Sequence, residues 1–486
     1  MGTGSDEGRG LAGGAVGSGR VIAFGTSIVA PAAAAVSTLV IVVSLAGFAS
    51  AFVILITFAA SLCCAISIAE FARRVPSAGW AYTYNSRGLG QTAGFLTGWM
   101  MIFGYSLYVP AGIALTSGYA SQLLASTVHV TIGAGALFVV ILAVAVLVAY
   151  LGIATSSSVD VILVAGEMAV IAALAITILV KTGAAHYSLA AFSPASSPTG
   201  QPTDITNAMI FGIISFAGFE AANALGEEAR NTRRSVPAST IWIVIVTGVF
   251  YLLVICAETF AVGPRGIPGF IRQANPLGYL TSRYWSPSAL WTIDLVIVLA
   301  GLGFVTAAVN AAIRILYAMA REQVLPGSLA RLSPRRTPAV SIGCLAVLTL
   351  LLGLPLTYAY GGPRTFGYLA AAAGLAVVLV YLCMNIAVLR AFRTEFRDEF
   401  RIWRHLLIPA AAVVVFLFPL WGILFPGGYT PADLLPLFAV GWLCIGAIAA
   451  GAIRARRPAA FQAVGTVFMS AGEEQSQARP SPPGAA

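Results

Sequence analysis

The stretch S-F-A-G-F-E-A at residues 215–221 sets a glycine, Gly218, and an acid, Glu220, inside an apolar run. From residue 227 the chain fills with charge: Glu227, Glu228, Arg230, Arg233 and Arg234. A carboxylate beside a helix breaker is costly in apolar surroundings unless the freed backbone opens onto protein or a water-filled cavity. Composition defines those surroundings.

Of 486 residues, 59% are hydrophobic and 9% charged, and the mean hydropathy is +0.90. Soluble domains carry roughly 25% charge. This chain cannot cover a water-facing surface and reads as an all-α integral membrane protein. The net charge of +9 is almost all arginine, with Lys181 the sole lysine. Such charge belongs to cytoplasmic loops, so no nucleic-acid partner is needed to explain it. The six cysteines fall in or at the ends of apolar runs, without the spacing of a disulfide framework or a metal site. Nothing points to a cofactor. The Gly-rich start lacks the apolar core and cleavage pattern of a signal peptide.

A helix needs about 20 apolar residues to span a bilayer. Twelve runs qualify: 21–45, 50–70, 91–123, 130–153, 158–180, 205–226, 240–262, 290–320, 338–358, 364–390, 404–425 and 431–454. The runs at 91–123 and 290–320 exceed one bilayer thickness and are expected to tilt or protrude. No segment alternates at period two as barrel strands do. With the N-terminus inside, only Lys181, Arg265, Arg272, Arg283 and Arg364 of the 27 Lys and Arg face out. The bias predicts a multi-pass protein of the cell membrane with both termini cytoplasmic. Tails at 1–20 and 456–486 are expected to be disordered. The apolar piece 461–469 either lies on the membrane surface or is unstructured.

Broken helices at matching places in two inverted halves mark substrate sites in secondary transporters. Span 1 holds S-I-V-A-P-A-A-A-A at 27–35, where Pro31 cannot donate to the helix ladder. Span 6 holds Gly218. Five spans separate the two, and an odd number makes the repeat inverted. The bland alternative is a pair of packing kinks.

Four acids lie within spans. Glu220 beside the break is either a proton-coupling or gating carboxylate, or a strut that holds the break. Glu167, near the middle of span 5, either couples or bonds across helices. Glu258 and Asp294 lie near the outer ends of spans 7 and 8 and are expected to reach solvent at the interface. The charges 227–234 are either a solvated helix end or an inner gate that pairs with Arg73 and Arg74 or with the span 8 loop.

F-A-G-F-E-A-A (216–222) with G-E-E-A-R-N-T-R-R-S-V-P (226–237) resembles the signature of the amino acid–polyamine–organocation permeases. E-F-A-R-R-V-P-S-A-G-W-A-Y-T-Y (70–84), R-G-L-G (87–90) and N-A-A-I-R-I-L-Y-A-M-A-R-E-Q-V-L-P (310–326) are similar to other parts of that family. The resemblance implies a LeuT-like fold over 21–455. Two inverted five-helix repeats would cover about 21–180 and 205–390, with helices 11 and 12 (404–454) peripheral. It implies alternating-access uptake or exchange of amino acids or related amines. In place of a glycine-rich span 1 segment, this chain has A-P-A-A-A (30–34). The implied substrate contacts are backbone at Ser27, Ala30, Pro31, Ala32 and Gly218. Ile214, Phe216 and Phe219 line the site, the two phenylalanines either as gates or as ordinary packing.

The coupling ion is expected to be a proton, with Glu220 its carrier; the lysine that replaces sodium in some proton-coupled relatives is absent from the span interiors, and sodium held by groups such as Ser27 or Thr38 stays open. Membrane lipids surround the chain, and oligomeric state is not legible. A channel would show a repeated filter or charge ring. An enzyme would show clustered His, Asp, Cys or Ser chemistry.

Overall fold

The computed structural model describes residues 18–75, 80–152, 157–220, 232–273, 275–335, 337–424 and 437–465. Regular structure among them is helical. The first apolar run becomes α1 (Ser18–Val29), α2 (Pro31–Val36) and α3 (Thr38–Ala46). A 3-10 turn leads into α4 (Ser50–Arg74), followed by the short α5 (Trp80–Leu89). Next come α6 (Gln91–Thr127), α7 (Ala134–Leu151), α8 (Ser157–Thr182) and α9 (Pro202–Phe216). α10 (Thr232–Phe270) bends at Gly263, and α11 (Pro276–Tyr284) is short. The chain continues through α12 (Leu290–Arg321), α13 (Ala339–Tyr360) and α14 (Gly362–Thr394). A π-helical turn at Trp403–Leu407 opens α15 (Ile408–Leu424), and α16 (Leu437–Arg456) and α17 (Pro458–Gln462) end the described chain.

Ten helical stretches among the described residues are long and apolar enough to cross a bilayer. One of them, Pro31–Arg74, takes in α2 to α4. Within the run expected at 205–226, α9 ends at Phe216 and 221–226 lie outside the described residues; the run at 21–45 is interrupted at Ala30. These are the two places where sequence chemistry broke the ladder. α6, 37 residues long, outruns a single bilayer crossing, in line with its long apolar run.

Burial ranks the helices. α6 and α14 have 83% and 67% of their apolar windows buried and run side by side through the centre, with α12 along α6. α16 buries only 17% and turns most of its apolar surface outward. Ile448 and Phe438 there are strongly exposed, as suits a hydrocarbon solvent.

Two differences from the sequence expectations concern polar ends. Glu258 and Asp294, expected to reach solvent, are buried at 1% and 2% exposure, because α11 and its flanks lie over that end of the bundle. Part of the segment expected to be disordered is packed: α17 forms, and Phe461 and Val464 are buried. Of the apolar piece 461–469, Phe461 packs beside Phe95 of α6, and 466–469 lie outside the described residues.

Candidate functional site

The α1–α2 break follows from local chemistry. Pro31 opens α2 and offers no N–H to the turn before it. Ala30, its N-cap, adopts the left-handed conformation at φ 49° and ψ 62°. That is a strained state for a residue with a β-carbon, held here by complete burial of α2. A second interruption at Ser37 is stitched by side chains. Ser37 Oγ donates to the Ala33 carbonyl at 2.5 Å, and Thr38 Oγ1 to that of Ala34 at 3.2 Å.

The α9 break uses the same devices. Beyond Phe216 the backbone turns extended at Ala217, and Gly218 takes φ 107°. The Ser215 carbonyl, which loses its helical partner, accepts the Tyr251 hydroxyl at 2.5 Å. Ser215 Oγ and Thr38 Oγ1 are 2.5 Å apart, so a hydroxyl pair ties α9 to α3. A β-carbon on Gly218 would meet the Ile28 carbonyl oxygen at 3.1 Å, which brings the two breaks into direct contact.

Glu220 closes the site. It is 2% exposed, and the Gly218 N–H (3.0 Å), the Tyr381 hydroxyl (2.8 Å) and the Tyr105 hydroxyl (3.1 Å) donate to its carboxylate. Tyr105 comes from α6 and Tyr381 from α14, the two most buried long helices. Trp80, Met101, Gly104 and Val380 complete a narrow, mainly apolar pocket around this carboxylate. Neighbouring Tyr108 stands edge-on to Tyr105 and Phe304 with a buried hydroxyl that has no partner among the described residues.

The residues singled out in the sequence divide accordingly. Ala30, Pro31, Ala32, Gly218 and Glu220 lie at the paired breaks. Only the backbone of Ser27 is described. Ile214 packs against Gly374 of α14. Phe219 leans on Tyr381 with ring centroids 5.4 Å apart. Phe216 points away from the Glu220 pocket, stacked on Phe58 at 5.9 Å and edge-on to Tyr251 at 5.1 Å. Glu167 is buried on α8, which packs on α1, α10 and α12, and does not join the Glu220 cluster. Sequence reasoning missed Tyr105 and Tyr381. A tyrosine inside an apolar run carries no spacing signal of its own.

A second polar cluster joins α4 to the α14–α15 connection. Glu70 accepts from Arg73 Nη1 (3.0 Å) and Arg74 Nη1 (2.9 Å), and lies 3.4 Å from His405 Nε2. Arg74 also pairs with Glu399, and Arg87 with Glu395. Of the basic-cluster expectations, 227–230 fall outside the described residues; Arg73 and Arg74 bond Glu70, and Arg74 also Glu399. Among the described residues no group of three or more His, Cys, Asp or Glu is placed to hold a metal ion.

Comparison with known proteins agrees with this architecture. The chain is 26% identical over 411 residues to the branched-chain amino acid permease BcaP of Bacillus subtilis, covering 80% of this chain and 82% of that one. It is 24% identical over 413 residues to the gamma-aminobutyric acid permease of Escherichia coli, covering 80% and 83%. The fold is similar to that of a solved manganese transporter of Eremococcus coleocola, with TM-score 0.54 at 12% identity over 88% of this chain and 94% of that one. The family model described as amino acid permease matches residues 14–449, so the chain belongs to the amino acid permease family: it is a multi-pass membrane transporter and not an enzyme.

Proposed function

We propose that this protein is a secondary active transporter that moves an amino acid or a related amine by alternating access, coupled to protons as symport or exchange. Its permease domain is 21–455, with LeuT-like inverted repeats at about 21–180 and 205–390 and a peripheral pair at 404–454. On this reading the chain crosses the cell membrane twelve times, with both termini cytoplasmic.

The observation that carries the reading is the contact of two interrupted helices at Gly218 and Ile28, with Glu220 bridged to α6 and α14 beside it. Half-helix ends offer amides to a carboxylate and carbonyls to an ammonium. Backbone dipoles thus recognise a zwitterion without burying full charges. Relatives named for branched-chain amino acids, gamma-aminobutyric acid and putrescine share an amine and differ beyond it. That pattern fits a common backbone site with a variable lining. Here Ile214, Phe219 and the alanines at 30–34 favour a small or apolar substrate.

Glu220 links the site to protons. An ionised carboxylate only accepts hydrogen bonds, whereas a protonated one must also donate. A protonated Glu220 needs an acceptor where donors now point, which a tyrosine hydroxyl supplies by turning. Tyr105 and Tyr381 are the movable ones, so the proton loosens the tie between the broken helix, α6 and α14.

The test is reconstitution in liposomes with radiolabelled leucine, gamma-aminobutyric acid and putrescine, with and without an inward proton gradient. Uptake or exchange of at least one, enhanced by the gradient, is expected. No flux of any amino acid or amine overturns the transport reading; flux indifferent to pH overturns the coupling.

A further inference from the structure

A second buried carboxylate lies at the other end of the bundle. Phe58 meets Gly248, and Phe48 meets Phe260 at 6.5 Å, so α10 runs antiparallel to α4. Glu258 is therefore at the end of the bundle remote from Glu70, which is the outer end on the proposed topology. It is 1% exposed, and neither carboxylate oxygen accepts a hydrogen bond among the described residues. This is the opposite of Glu220, which has three donors. Nearby Asp294 is satisfied: Asn275 Nδ2 donates to it at 2.7 Å, while Asn275 Oδ1 caps α11 through the Gly278 N–H at 2.9 Å.

Among the described residues no hydrogen bond or ion pair reaches Glu258, and Arg265 and Arg272 are exposed. Lys181 of α8 spends its ammonium on the Tyr284 carbonyl, and Arg283 of α11 stacks on the Tyr284 ring. The Tyr284 hydroxyl approaches the Ala261 carbonyl at 3.5 Å and bonds Thr182 at 3.0 Å. Tyr187 stacks on Phe260, and His186 is exposed. An ionised carboxylate buried without donor or counter-ion is strongly disfavoured, and a bound proton removes the charge.

We propose that Glu258 is a proton-binding site under the short helix α11, which the Asn275–Asp294 bond ties to α12, loaded from the outer solution. The Asn275–Asp294 bond makes α11 its cover. Exposing Glu258 requires α11 to lift, so proton exchange there is tied to opening of the outer face. The inference rests on the proton-coupled reading above but concerns a different carboxylate.

Purified protein in lipid, compared by infrared difference spectroscopy between alkaline and acid pH, reads the site without transport. A protonated-carboxyl band lost in Glu258→Gln and kept in Glu220→Gln is expected; a band unchanged in Glu258→Gln overturns the proposal. Glu258→Asp serves if the glutamine variant does not purify as a monodisperse protein. That band should then shift, and an unshifted band has the same overturning force. In liposomes, Glu258→Gln should reduce the response of uptake to external pH by about tenfold, within the usual range for two linked sites, and Glu258→Asp should restore it. A wild-type pH response that Glu258→Gln retains in full, or a response to sodium in place of pH, overturns the proposal alone. A wild type with no pH response overturns the proton-coupled reading, and the infrared band then decides for Glu258 by itself.

Discussion

The α-carbon of Gly218 sits so close to the Ile28 carbonyl that an added β-carbon would lie 3.1 Å from its oxygen. Gly218 also holds φ 107°, which side-chain-bearing residues rarely adopt. Gly218→Ala incurs both penalties, with a backbone strain of about 1–3 kcal/mol. Because 1.4 kcal/mol is a factor of ten, transport should fall by about that factor or more while the protein still inserts. Initial uptake rates per reconstituted molecule check this; a wild-type rate would mean that the contact between the breaks carries no function.

Tyr381→Phe and Tyr105→Phe each remove one donor from Glu220. Hydrogen bonds to a charged group contribute about 1.5–3 kcal/mol. The Tyr381 bond is the shorter, 2.8 Å against 3.1 Å, so its loss should alter the exchange rate more. The double variant should depart from additivity, since both hydroxyls share one carboxylate. Exchange rates of the three variants at equal pH decide; equal single effects that simply add would contradict a shared carboxylate switch.

Much of this site was legible because it is made of backbone chemistry. Pro31 and Gly218 act through the donor that one lacks and the freedom the other has, and both properties belong to the residue type. Glu220 was legible because a carboxylate in an apolar run has few reasons to be there. Its partners were not, since Tyr105 and Tyr381 are 276 residues apart and nothing local distinguishes them from core aromatics. Phe216, whose place beside the break suggested either a gate or ordinary packing, stacks on Phe58 and stands edge-on to Tyr251. Glu258 and Asp294 were misjudged because depth was counted along each helix alone, and α11 lies across that end.

Glu70 gathers three arginines, Arg73, Arg74 and Arg404, and a histidine at 4% side-chain exposure, while Arg74 keeps 16%, Arg73 41% and Arg404 51%. Such a pair falls between exposed bridges, worth up to about 1 kcal/mol, and fully buried ones, where breaking costs 3–5 kcal/mol. Glu70→Gln should thus destabilise the protein by about 2 kcal/mol. The loss should appear as a lower thermal midpoint in detergent, and salt should narrow the gap to wild type. An unchanged midpoint at low salt would assign the cluster no structural weight.

The end of the described chain is a strap. Phe461 lies 6.2 Å from Phe95 by ring centroids, and the Gly465 N–H donates to Glu322 at 3.1 Å. Tyr82 donates to the same carboxylate; burial and Glu322 hold its phenol far above the usual value, so it stays a donor. Ending the chain after Arg457 removes the burial of Phe461 and Val464, worth about 1.5–3 kcal/mol each. A clear drop in thermal midpoint is expected, with a smaller drop for Tyr82→Phe. A truncated protein as stable as the full chain would show that the strap rests on α6 without holding it.

Trp99 and Trp442 fasten α16 to α6 reciprocally. Each indole N–H donates to the other residue's carbonyl at 2.8 Å, and the rings stack at 4.5 Å. The approach depends on Gly446, where a β-carbon would lie 2.4 Å from the Trp99 ring. With 17% of its window buried, α16 has few other holds on the bundle. Gly446→Leu should therefore displace Trp99 and free α16, whereas Trp442→Phe loses one hydrogen bond, about 0.5–1.5 kcal/mol. If α15 and α16 are peripheral to the transport cycle, Gly446→Leu lowers the thermal midpoint more than Trp442→Phe, yet leaves the substrate's half-saturating concentration unchanged. A shifted half-saturating concentration in Gly446→Leu would place α16 in the machinery, acting through α6 on Tyr105, which lies on the same helix six residues beyond Trp99.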